Sequence, residues 1–108
     1  MRLHVRRCGL ANEEHEESRR QYAHVFHKAG TICVADAFFD LPEKTQLALL
    51  LHEVGHRMAG IRAREATANK VVREASGIHI HYRDGRHGER LEWIAPGNKQ
   101  RAREFLGV

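Results

Sequence analysis

Two histidines four residues apart, with a glutamate directly after the first, stand at His52-Glu53-Val54-Gly55-His56. On a helix, residues i and i+4 lie one above the other on one face, so both imidazoles can reach a single Zn²⁺. Glu53, beside the first histidine, can then reach the open side of the ion and take a proton from a water there. The chemistry this spacing offers is metal-assisted hydrolysis. The bland alternative is a solvated helix face that carries His and Glu by chance, since the 108 residues include nine His and fourteen acids. The surroundings argue against it. Leu47, Leu50, Leu51, Val54 and Met58 recur at helical spacing, and Ala48 and Gly55 add small positions suited to close packing.

The elements that must position these groups can be read along the chain. Leu3 and Val5 alternate with charged neighbours and predict a short first strand over 2–7. Residues 11–20 are dense in Glu, His and Arg and fit either a solvated helix or an exposed loop. Residues 22–26 and 31–35, with a turn at Lys28-Ala29-Gly30 between them, predict a β-hairpin. Phe38, Phe39 and Leu41 then form an apolar patch expected to dock onto the core. Asp40-Leu41-Pro42-Glu43 signals a helix start, with Asp40 or Leu41 near the cap and Pro42 in the first turn. That helix should run through both histidines to about Ala59, where Gly60 supplies a left-handed cap. A second helix is expected over 62–75, a second hairpin over 78–94 with a turn at Asp84-Gly85, and a last helix over 97–106. Trp93 should pack on the core from that hairpin. The expected architecture is one α+β domain spanning 1–108.

A catalytic zinc site needs three protein ligands and one open position. After Gly60 the candidates for the third ligand are Glu65, Glu74, His79 and His81. Glu65 is favoured by its neighbourhood. Asn69 lies one turn further along the same helix face and can take a hydrogen bond from the far nitrogen of a ligating histidine. Glu74 has Ile78 at the equivalent place and gains no such support. Ala66 and Ala68 are small enough to let this helix approach the first one closely.

His52-Glu53-Val54-Gly55-His56 followed by Glu65-x-x-Ala68-Asn69 resembles the gluzincin branch of the zincin metallopeptidases, and by size the minigluzincins most of all. The resemblance rests on residues 31–76. It implies that a short mixed or antiparallel sheet packs on an active-site helix and a glutamate helix, with a C-terminal helix added. It further implies that His52, His56 and Glu65 hold one Zn²⁺, that Glu53 is the general base, and that Asn69 orients a ligand. Eight residues separate His56 from Glu65, so the chain must turn at Gly60 with no inserted domain. Metzincins place a third histidine six residues after the second. That position is Arg62 here, so the metzincin branch is disfavoured.

Peptide hydrolysis also needs a donor for the oxyanion of the tetrahedral intermediate. His79, His81, Tyr82 and Tyr22 are the candidates, and the segment carrying the first three is preferred because it follows the glutamate helix. For His79 and His81 the plainer reading is surface decoration of an amphipathic strand. The same holds for His4, His15, His24, His27 and His87.

Composition bounds the alternatives. Hydrophobic content of 42% and charged content of 30% read as a soluble globular chain with no membrane span. Arg2, Arg6 and Arg7 are not followed by an apolar stretch, so no signal peptide is expected and the cytoplasm is the default location. Cys8 and Cys33 are too few for a disulfide framework and are read as free, buried thiols. The net charge of +4 comes from basic residues scattered among acids, with seven aromatics and no finger or helix-turn-helix spacing. Nucleic acid is therefore the disfavoured partner and a peptide or protein substrate the favoured one. Self-inhibition by a terminal segment lying across the cleft would suit so small a protein. Three other functions compete: a deformylase-like amide hydrolase with Cys33 as ligand, a regulatory or protein-binding module with structural zinc, and a nucleic-acid binder. The His₂Glu set would also suit Co²⁺ or Ni²⁺.

Overall fold

The computed structural model describes residues 4–7, 23–26, 31–60, 62–84 and 90–108. Within them the order is β1 (His4–Arg7), β2 (Ala23–Phe26), β3 (Thr31–Val34), a 3₁₀ turn (Asp36–Asp40), α1 (Glu43–Ala59), α2 (Glu65–Ser76), β4 (His81–Asp84), β5 (Arg90–Trp93), a second 3₁₀ turn (Pro96–Asn98) and α3 (Lys99–Leu106). This is an α+β fold, with a three-stranded mixed sheet and a separate two-stranded hairpin. In the first sheet β3 lies in the middle, parallel to β1 and antiparallel to β2. Ala23 pairs with Val34 and Phe26 with Thr31, as expected of the hairpin. The expectations for residues 8–22, 27–30 and 85–89 lie outside the described residues.

Helix α1 is the centre of the molecule. Its apolar positions Leu47, Ala48, Leu50, Leu51 and Val54 are buried against Ile32 and Val34 of β3, Val72 of α2, Ile78, Ile80, Ile94, and Ala102 and Leu106 of α3. Phe38 is buried and Leu41 packs beside this cluster, whereas Phe39 is exposed. Met58, placed in the same seam by its spacing, is also exposed, because the helix has run past the core by its last turn. Pro42 directly precedes the helix. Asp40 belongs to the preceding 3₁₀ turn, and no side chain caps the helix start. Instead the Gln46 side-chain amide donates to the Leu41 carbonyl at 2.9 Å, which ties the entering chain to the first turn.

At its other end α1 stops at Gly60, with φ 102° and ψ 141°. The positive φ matches the expectation, but ψ is extended rather than left-handed helical. Only glycine adopts this pair without steric cost. It sends the chain sharply off the helix axis, and a short turn leads into α2 at Glu65. The second helix therefore begins three residues later than its apolar pattern suggests, which puts Glu65 in the first turn, facing back toward α1.

Gly55 sets how closely the helices pack. A Cβ built there would overlap the Ala68 carbonyl oxygen and lie 2.7 Å from its carbonyl carbon and 3.0 Å from Val72 Cγ2. Ala68 is the small residue that permits this approach, and it is fully buried. Ala66 is exposed and takes no part.

Strands β4 and β5 pair antiparallel, with Tyr82 opposite Glu92 and His81 opposite Trp93. Ile78, Ile80, Glu92 and Ile94 are buried, so the even-numbered positions face the core. The hairpin is anchored on α1 by a hydrogen bond from the Ile94 amide to the Lys44 carbonyl at 3.2 Å. Trp93, expected on the core, sits half-buried on the other face.

Candidate metal centre

His52 and His56 follow from the period of α1. Four residues apart on its buried face, they place their rings 4.6 Å apart between centroids and nearly perpendicular, at 82°. Their Nε2 atoms lie 3.0 Å apart. Helix α2 brings Glu65 to the same point: one carboxylate oxygen contacts His52 Nε2 and the other lies 3.3 Å from His56 Nε2. One ligand atom from each of the three lies within 4.8 Å of the others, and among the described residues no other trio of His, Cys, Asp or Glu does so. Glu74, the competing third ligand, is exposed further along α2 and is not in this cluster.

The outer contacts of His52 decide which of its nitrogens faces the cluster. Its Nδ1 donates to the Asn69 side-chain oxygen at 2.6 Å, an oxygen that can only accept. Nδ1 therefore carries a proton, and Nε2 is the nitrogen turned toward Glu65 and His56. Two imidazole nitrogens and a carboxylate that converge on one point form a donor set that fits a metal ion. Nitrogen and carboxylate ligands suit zinc and its first-row neighbours, and two His with one Glu leave an open position in a tetrahedral site. Glu65 is 52% exposed on the side-chain measure while the histidines are buried, so the open side faces solvent. His56 Nδ1 is buried and makes no hydrogen bond among the described residues. The far nitrogen of His56 thus has no counterpart to the Asn69 contact of His52 among the described residues.

A residue that sequence reasoning missed stands behind His52. Glu92 of β5 is buried, with only 4% of its surface exposed, and Oε2 lies 3.8 Å from His52 Nδ1. Its signal was present in the alternation. Glu92 shares the inward parity of Ile94, where an apolar side chain would be ordinary, and a carboxylate at a core-facing position implies a specific partner.

Glu53 is half-buried beside the cluster. Burial pushes its carboxyl up to about 7. His52 works against that shift, while Glu65 and Glu92 add to it. A carboxyl that titrates near neutrality can both accept and return a proton.

The remaining expected site residues divide by face. Tyr82 is directly opposite Glu92, on the same face of the hairpin, and its side chain is exposed. His81 has the opposite parity and stacks on Trp93, with ring centroids 5.7 Å apart and planes 17° apart. His79 is exposed and contacts His81. The structure does not bring His79 or His81 into the Glu65 cluster, so Tyr82 alone of the three has the right face for an oxyanion donor. Tyr22 lies outside the described residues. Cys33 is buried and disulfide-bonded, which corrects the expectation of a free thiol and removes the ligand that a deformylase-like site would use. Among the described residues no helix is long and apolar enough to cross a membrane. No family model, curated protein or solved structure matches this chain.

Proposed function

We propose that this chain is a zinc-dependent peptidase of the gluzincin type, acting on peptide or protein substrates. The observation that carries the reading is the convergence of His52, His56 and Glu65 on one point, with Glu53 beside it and Asn69 fixing the first histidine. When bound there, zinc supplies Lewis acidity toward a water and the scissile carbonyl. Glu53 accepts the proton of the attacking water and returns it to the leaving amine. Asn69 and Glu92 hold the His52 ring in place from behind. Tyr82, on the hairpin face that it shares with Glu92, would donate to the developing oxyanion. A terminal segment lying across the open side beside Glu65 would hold such an enzyme latent.

Glu53→Gln tests the catalytic reading. The variant should keep its zinc and its fold while losing turnover of a peptide library by a factor of about 10² or more. Unchanged turnover would instead favour a zincin-like binding module in which zinc is structural.

A further inference from the structure

We propose a second metal site, made by His79 and His81 on the outer face of the β4–β5 hairpin, that takes a single Cu²⁺ in preference to other divalent ions. The two rings stand 4.6 Å apart between centroids at 84°. The buried pair that forms the candidate centre, His52 and His56, stands 4.6 Å apart at 82°. Different backbones thus deliver the same ring geometry: i and i+4 on a helix, i and i+2 on an extended segment. Two imidazoles held in contact can each turn one nitrogen to a shared ion.

The surroundings choose the ion. His79 is exposed and His81 half-buried, so water can complete the coordination shell. Among the described residues no third His, Cys, Asp or Glu stands close enough to both rings to complete a trio of ligands. Arg83, exposed and at the same parity two positions further on, adds a like charge. A site of two neutral imidazoles without a carboxylate gives little attraction to hard ions such as Ca²⁺ or Mg²⁺. It binds through ligand-field strength, which rises through the divalent series to Cu²⁺ and falls again at Zn²⁺. His81 also stacks on Trp93, the chain's only tryptophan. An open-shell ion on His81 would quench that indole, so occupancy has a local optical signal.

The test titrates CuCl₂ into full-length protein first saturated with Zn²⁺, following Trp93 emission and the copper electron paramagnetic resonance spectrum. Wild type should quench with a saturating curve and show two imidazole nitrogens on the copper. His79→Asn and His81→Asn should each shift the midpoint to higher copper and leave one nitrogen, and the double variant should lose the quenching. An absence of quenching in wild type, or an unchanged midpoint in a double variant whose circular dichroism matches wild type, would overturn the proposal. Copper can also displace zinc at His52, His56 and Glu65, and the double variant, which leaves those residues in place, assigns the signal to the hairpin pair.

Discussion

Gly55, between the two histidines of α1, lies against the Ala68 carbonyl of α2 so closely that a Cβ at that position would overlap the carbonyl oxygen. The contact partner is backbone, which cannot rotate aside. The same approach brings Glu65, one turn before Ala68, onto the two imidazoles. Packing and site geometry are therefore one constraint. Gly55→Ala should cost about 1–3 kcal/mol through overpacking, more than the roughly 1 kcal/mol that alanine gains over glycine within a helix. Thermal melts and zinc titration check it together: stability and affinity should both fall.

Behind His52, Asn69 and Glu92 act on the same nitrogen from different elements. Asn69→Ala and Glu92→Gln should each lower zinc affinity by about 10–100-fold, as expected when an outer partner of a ligating histidine is removed. Competition with a chromogenic chelator measures this. The loss from Glu92→Gln should be the smaller, because 3.8 Å is beyond hydrogen-bond range whereas the Asn69 contact is 2.6 Å.

The Glu53 carboxyl gives the metal-free fold a definite pH dependence. Burial raises its value from 4.5 to about 7, so the native state binds the proton more tightly than the unfolded chain does. The associated stability is fully present below pH 4.5 and is lost as pH rises through about 7, an effect on the order of 3 kcal/mol at most. Urea unfolding of metal-free protein at pH 5 and pH 8 should show the fall, and Glu53→Gln should remove that part of it. A divalent cation beside the carboxylate favours its charged form, so zinc should shrink the difference.

Tyr82→Phe should reduce kcat with zinc content unaltered, by a factor approaching the 10²–10³ or so typical of a lost oxyanion donor. Steady-state kinetics together with metal analysis separates this from loss of the ion.

Much of the site was legible because helical period leaves little freedom. With α1 fixed by its leucines, His52 and His56 had to share a face, and Asn69 had to follow Glu65 by one turn. The rest depended on angles that the sequence encodes weakly. The ψ of Gly60 sets where α2 begins, and no residue pattern announces an extended value. His79 and His81 were visible as a pair, but the face they occupy depends on which parity of the hairpin packs inward. Ile78, Ile80 and Ile94 settle that parity, and with it the inward position of Glu92. Cys33 shows a different limit: composition alone favours two free thiols, whereas pairing depends on a fold that brings sulfurs together.

The most direct test of the central claim is the metal content of untagged protein by mass spectrometry, with Glu65→Ala and Glu74→Ala alongside. The account predicts about one zinc per chain, retained in Glu74→Ala and lost in Glu65→Ala. Zinc absent from wild type even after it is offered, or retained in Glu65→Ala and lost in Glu74→Ala, would contradict it.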